Sequence, residues 1–368
     1  MDDWLRQRRA LLAAALGSAA LAACGGGNDA GGPSEAGRAD DPMPSPNAQM
    51  QAVLDELALL GARPVHMLSV AEARTQPGPA DAVRSLRARQ GRDTAPEPVA
   101  SVLDRTIPGP AGPLPARIYT PSGLAPFPVI LYLHGGGWVT GTLDSHDASA
   151  RALCNEVPAI VVSVDYRKAP EAPFPAAHED TWAAWQWTLA NAVAIGGTAR
   201  RVAVAGEGAG ANMAASIALR ARDAATVQDP VHQLLVHPVV DAELDAPSEK
   251  QNAAARPLDT ASLAWFFDRY LPDTASRTDP RFALRRNADL RNLPSATVIT
   301  ADIDPLRSEG RAYAEALDNL GGWVHWLNVD GVTHEFFGMS SVVDAARQAV
   351  VAAAQDLRGA FARVPNTP

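Results

Sequence analysis

The sequence predicts an α/β fold, a mostly parallel β-sheet with helices on both faces. Three observations carry this. Short unbroken runs of valine, isoleucine and leucine recur from residue 127 onward, the pattern of strands buried on both faces. Stretches with apolar residues at helical spacing stand between them. The two kinds of segment alternate along the chain, and such alternation builds a parallel sheet rather than a bundle or sandwich. The chain has 368 residues, enough for one large α/β domain or two ordinary ones.

The N-terminus reads as a targeting segment and stands apart from the fold. Arg6, Arg8 and Arg9 precede an apolar stretch, ALLAAALGSAALAA, too short and alanine-rich for a transmembrane helix. It ends in LAAC (21–24), followed by GGGNDAGG. Small residues before a cysteine and a glycine-rich run after it resemble a bacterial lipoprotein signal. The resemblance implies cleavage before Cys24, lipid on its thiol, and an exported protein anchored in the cell envelope. An ordinary secretory signal is the alternative, and the Arg8–Arg9 pair also permits twin-arginine export. Residues 25–47, rich in Gly, Pro, Ser and Asp, read as a flexible tether.

Residues 48–99 carry helical pieces, among them MQAVLDELALLG and PADAVRSLRARQ. Residues 100–365 read as the α/β domain. It opens with VLDRTIPGPAGPLPARIYTP, which alternates and turns like a hairpin. FPVILYLH (127–134) and AIVVSVDY (159–166) are strands. A helix with Trp182, Trp185 and Trp187 follows, and its tryptophans are expected to pack. Strand RVAVAG (201–206), helix AGANMAASIALRAR (209–222) and strand VHQLLVHPVV (231–240) come next. Strands SATVITAD (295–302) and VHWLNVDG (324–331), with a helix between them, and a last helix at 341–362 complete the set. The alternation breaks over residues 241–280. An excursion of that length usually carries function. With residues 48–92 it is expected to form a lid over the carboxyl ends of the strands, where ligands bind in open α/β sheets. Trp265, Phe266 and Phe267 within it are candidates for ligand contact or for lid core.

Composition excludes some functions. The net charge of −9 gives no basic patch for nucleic acid. The two cysteines, Cys24 and Cys154, allow no disulfide framework if Cys24 is lipidated, and Cys154 reads as a buried small hydrophobe. No metal-ligand spacing and no cofactor motif is seen, so neither metal nor cofactor is expected.

Four pieces of chemistry fall at strand ends. In LYLHGGGWVTG (131–141), three glycines leave bare N–H groups to face a ligand, as stabilising a carbonyl oxyanion requires. GEGAG (206–210) joins a strand to a helix by a sharp turn; the Ala209 N–H is a further donor, helped by the field of the helix N-terminus. Asp304 in TADIDPLRSEG and His334 in DGVTHEFFGM each follow a strand. Positions 208, 304 and 334 run in the order nucleophile, acid, histidine.

These motifs, with DYRKAPE (165–171) and FPAAHED (174–180), resemble the hormone-sensitive-lipase group of α/β-hydrolases, which includes bacterial carboxylesterases. The likeness runs from about residue 48 to 362. It implies an α/β-hydrolase fold with an eight-stranded sheet and a helical cap, and hydrolysis of small acyl esters. It makes Asp304 and His334 the acid and base of a triad, and the N–H groups of Gly136, Gly137 and Ala209 an oxyanion hole. By the same likeness His134 organises its loop, Asp165 and Arg167 are structural, and Glu207 points away from substrate.

Two positions depart from the family pattern. Lys168 replaces a leucine, and Gly208 stands where the family carries its nucleophilic serine. Glycine has no attacking atom. Ser216 lies roughly 12 Å further along the helix axis, too far to substitute. Three roles remain open: an impaired hydrolase in which His334 activates water directly, a non-catalytic protein that binds a small ester or hydrophobic ligand, and a variant of an active esterase. His146, His178, His232, His237 and His325 are expected to be structural or surface residues.

Overall fold

The computed structural model describes residues 41–224 and 226–364. Up to residue 40, the segments expected to be a signal and a tether, with Cys24, fall outside the described residues. Asn47 marks the start of the fold. Its N–H donates to the Gly331 carbonyl (2.8 Å), and its side chain accepts the Met50 N–H (2.9 Å), capping helix α1, Ala48–Leu59. Helices α2 (Val70–Thr75) and α3 (Pro79–Arg89) complete the N-terminal helical segment.

Eight strands form one sheet. They are β1 (Ser101–Gly109), β2 (Gly112–Thr120), β3 (Phe127–Leu133), β4 (Ile160–Val164), β5 (Gly197–Glu207), β6 (Gln233–Val236), β7 (Ala296–Ile303) and β8 (Val324–Thr333). Their order is β1-β2-β4-β3-β5-β6-β7-β8. β1 pairs antiparallel with β2, the expected hairpin, and β2 pairs antiparallel with β4. Every other neighbouring pair is parallel. This is the α/β-hydrolase fold.

The helices between strands are α4 (Asp147–Glu156), α5 (Ala176–Asn191), α6 (Ala209–Ala224) and α11 (Arg307–Asn319), and α12 (Asp344–Ala362) follows the last strand. The intervening stretch after β6 holds α7 (Pro247–Gln251), α8 (Thr260–Tyr270), α9 (Thr274–Thr278) and α10 (Leu284–Asn287). Successive side chains of a strand point to opposite faces. Leu131 and Leu133 of β3 join one core with Trp185 of α5 and Met213 of α6. Ile130 and Tyr132 join the other, with Cys154 of α4 and Leu357 of α12. A strand buried on both sides has no reason to alternate polar with apolar, which is why these strands read as unbroken runs. Cys154 is a buried free thiol, and burial pushes its pKa up to about 12.

Two elements differ from the sequence expectation. β6 covers four residues instead of the run 231–240, because His237 takes a left-handed φ of 37° and Pro238 has no N–H to give a ladder. The last helix starts at Asp344, after a short 3-10 turn over Phe336–Met339. Among the described residues no helix is long and apolar enough to cross a membrane.

Candidate active site at the carboxyl ends of the strands

Four strands deliver the expected site. β3 ends in the glycine loop, β5 runs straight into α6 through Gly208, β7 ends at Ile303, one residue before Asp304, and β8 ends at Thr333, one residue before His334. The turn after β5 is tight because Gly210 has no side chain: a Cβ there would lie 2.0 Å from the Leu133 carbonyl oxygen. Gly208 itself adopts φ +52°, a left-handed conformation natural to glycine.

His334 and Asp304 are brought together. His334 Nδ1 lies 2.8 Å from Asp304 Oδ2, and Asp304 Oδ1 accepts the Leu306 N–H at 2.9 Å. Asp304 is fully buried, and His334 is nearly so. Burial opposes charge on the His334 imidazole, but the carboxylates of Asp304, first of all, and of Glu335 and Glu207 together outweigh it and raise the pKa. With Nδ1–H given to Asp304, the Nε2 lone pair faces the pocket. A Cβ built on Gly208 would stand 3.5 Å from that Nε2 and 3.6 Å from Cε1.

The glycine loop lies beside this point. Gly136 and Gly137 take φ +103° and +56°, and neither N–H donates to an acceptor among the described residues. Ala209 opens α6, where N–H groups have no intrahelical partner. His134 is buried beneath the loop, with Nδ1 2.7 Å from the Gly135 carbonyl and Nε2 3.2 Å from Asp165. Lys168 pairs with the same Asp165 carboxylate. Arg167 grips buried Asp180 through several hydrogen bonds of 2.7–3.0 Å.

Two histidines expected to be structural or surface residues stand inside the site. His237 is fully buried; its Nδ1 accepts the Gly208 N–H at 3.1 Å, and its ring centroid is 4.0 Å from that of His334. His146 Nε2 accepts the Gly135 N–H at 3.1 Å and lies 3.4 Å from Glu335. Burial opposes ionisation of Glu335, yet His146, His334 and His237 together hold its carboxyl far below the usual range. Glu207 turns from the pocket centre to accept the Tyr132 hydroxyl at 2.5 Å. The ligating atoms of His146, Glu207 and Glu335 lie within 4.8 Å of one another, close enough for a metal ion. His146 Nε2 already accepts the Gly135 N–H, and one Glu207 oxygen the Tyr132 hydroxyl. His237 carries no sequence signal, because the run 231–240 reads as one strand and only the structure ends it at Val236. His146 sits in a loop and carries none either.

A cavity of about 970 Å³ opens over these groups. Gly136, Gly137, Gly208 and His334 form its floor; Leu54, Leu57 and Val83 of the N-terminal helices and Leu258, Leu263 and Phe266 of the second segment form its walls. The two helical segments are joined directly. Trp265 Nε1 donates to the Leu68 carbonyl at 3.2 Å, and His66 Nδ1 lies 3.2 Å from Asp259. Of the three aromatic candidates, Phe266 faces the cavity, its ring where a Gly137 Cβ would fall (2.3 Å). Phe267 packs on Phe282 instead, and the Trp265 ring edge-on against Phe266. Trp182 and Trp185 are buried helix packing, as expected.

The family model for the α/β-hydrolase fold matches residues 130–338. The chain belongs to the α/β-hydrolase family. Its homologues are carboxylesterases of the hormone-sensitive-lipase-like group. It is 43% identical to carboxylesterase NlhH of Mycobacterium tuberculosis over 281 residues, 73% of this chain and 87% of the relative. It is 33% identical to an ethyl acetate hydrolase of Pseudomonas putida, over 80% of this chain and 92% of the relative. Among solved structures it resembles the hyperthermophilic esterase of the archaeon Pyrobaculum calidifontis, with TM-score 0.77 and 34% identity over 86% of this chain and 99% of that one.

Proposed function

We propose that this chain carries a carboxylic-ester hydrolase site for small acyl esters, slowed by the absence of a side chain at position 208. One observation carries the proposal: His334 Nε2, oriented by Asp304, faces the Gly208 Cβ position at 3.5 Å, with the glycine loop alongside. A serine there would put its hydroxyl within reach of the base without moving another residue. In the chain as it stands, an ester carbonyl oxygen would lie against the N–H groups of Gly136, Gly137 and Ala209. His334 Nε2 would take the proton of an attacking water, and Asp304 would stabilise the imidazolium formed. The tetrahedral adduct then expels the alkoxy group, His334 returns its proton to that oxygen, and acid and alcohol leave with no acyl-enzyme formed. Triad proteases stripped of their nucleophile keep roughly 10³–10⁴-fold catalysis over water. The test compares the chain with Gly208→Ser and His334→Ala on p-nitrophenyl acetate and butyrate. A fast serine variant supports the reading, and a silent one overturns it.

A second role is favoured by the roofed cavity of about 970 Å³. A binding protein using this pocket would be stabilised thermally by an ester that it does not consume. Product appearing in the mixture would exclude that role.

We further propose an exported, envelope-anchored protein, lipidated at Cys24, on the pattern of LAAC before a glycine-rich run. Expressed in a bacterium, Cys24→Ala should leave the membrane fraction. A wild-type chain found wholly in the soluble fraction would rule the anchor out.

A further inference from the structure

Serine differs from glycine by one carbon and one hydroxyl, and a small primary alcohol carries both. The three protein atoms nearest a Cβ on Gly208 are His334 Nε2 at 3.5 Å, His334 Cε1 at 3.6 Å and His237 Nδ1 at 3.8 Å, all ordinary contact distances. The space is therefore sized for the missing group, and the nitrogen on its boundary is the lone-pair nitrogen of the base. A free alcohol is not bonded to Cα and must stand about 2 Å further out, at van der Waals separation. The cavity lies open on that side, with Val239, Leu258, Leu263 and Phe266 among its walls. Those apolar walls favour an alkyl alcohol over water, by roughly fourfold for each CH₂ buried.

We propose that the space beside Gly208 is an acceptor site for a small primary alcohol, and that the protein transfers acyl groups from esters to that alcohol. The inference rests on the ester-hydrolase reading of the pocket. The alcohol oxygen attacks the ester carbonyl carbon and forms a new C–O bond, while His334 Nε2 takes the hydroxyl proton. The carbonyl oxygen becomes the oxyanion facing Gly136, Gly137 and Ala209. The bond to the original alkoxy group then breaks, and His334 returns its proton to the leaving oxygen. One ester and one alcohol become another ester and another alcohol, with no oxidant and no acyl-enzyme. His237 is a positioning residue here: by accepting the Gly208 N–H it holds the turn that shapes the space.

The experiment follows p-nitrophenol release from p-nitrophenyl butyrate by the purified protein, with methanol, ethanol or tert-butanol added up to about 1 M, and measures methyl or ethyl butyrate by gas chromatography. The expected result is a several-fold rise in p-nitrophenol release with methanol and ethanol, matched by the alkyl ester formed. No rise is expected with tert-butanol, whose tertiary carbon hinders attack by its oxygen, nor in His334→Ala. Gly208→Ala, whose Cβ enters the space, should lose the rise; its folding is checked by circular dichroism. If methanol fails to speed the wild type while Gly208→Ser hydrolyses butyrate quickly, the acceptor site is overturned and the hydrolase reading stands. If Gly208→Ser is silent as well, both fall. A methanol effect equal in His334→Ala is a solvent effect and also overturns the proposal.

Discussion

The two oxygens of the Asp304 carboxylate have separate tasks: Oδ2 meets His334 Nδ1 at 2.8 Å, and Oδ1 accepts the N–H of Leu306 at 2.9 Å. The carboxylate is thus fixed to its own loop before it fixes the histidine. An amide at this position could turn its NH₂ toward Nδ1 and force the other tautomer, with the proton on Nε2. In a Gly208→Ser background, Asp304→Asn should lower kcat by about 10⁴-fold. Comparable kcat values for the two proteins would show that the pair does not act as base and orienter.

The raised pKa of His334 sets the direction of the pH profile. The base works only when neutral. The acid limb of kcat/KM should therefore lie above the ordinary histidine value of about 6.5. Removing the Asp304 charge leaves burial as the dominant influence, so Asp304→Asn should move the limb to lower pH. Rate profiles of the two proteins from pH 5 to 9 check both signs.

Gly208→Ser should exchange stability for rate. Ester hydrolysis should rise on the order of 10³-fold or more. The φ of +52° is left-handed, and a side chain there costs about 1–2 kcal/mol. The faster variant should therefore melt at lower temperature, as differential scanning calorimetry would register. A serine variant both faster and more stable would mean that the turn relaxes on substitution.

Glu249 in α7 is buried, and its pKa is pushed up to about 7, chiefly by burial and against the Ala246 N–H that it accepts at 2.7 Å. A carboxyl with a raised folded pKa contributes stability that is present below its unfolded value near 4.5 and lost as pH rises to about 7. Glu249→Gln keeps the acceptor and removes the charge. Its melting temperature should match the wild type at pH 4 and exceed it by a few degrees at pH 8. Equal melting temperatures at both pH values would show that Glu249 ionises freely in the fold.

Phe266 stands over Gly137, where the acyl or alcohol portion of an ester must pass. In the Gly208→Ser background, Phe266→Ala should lower KM for p-nitrophenyl octanoate relative to butyrate. An unchanged ratio would place the chain of the ester elsewhere in the cavity.

Much of this was legible in the sequence because its signals are local. A strand buried on both faces is an unbroken apolar run, as in VILYL, and a glycine-rich turn announces itself by composition. Asp304 and His334 were readable from their motifs and chain order. His146 and His237 were not, since convergence of a loop and a strand end on Gly135 and Gly208 leaves no spacing to count. The shortness of β6 was hidden because VHQLLVHPVV is apolar beyond Val236, and only the turn at His237 ends the ladder. The division of labour among Trp265, Phe266 and Phe267 depends on which way one short helix faces, and that orientation is set by its partner Leu68, 197 residues away along the chain.

That bond between Trp265 and Leu68 bears on the order of assembly. Contacts distant along the chain pay a loop-closure cost before they return anything, so they tend to form late. The central sheet can gather through neighbouring strands, while the cavity is complete only once both helical segments have met. Local opening that parts Trp265 from Leu68 would abolish ligand affinity while the sheet stays intact. Protease sensitivity in residues 60–80 and 255–275 would then report pocket occupancy directly, without any chromogenic ester.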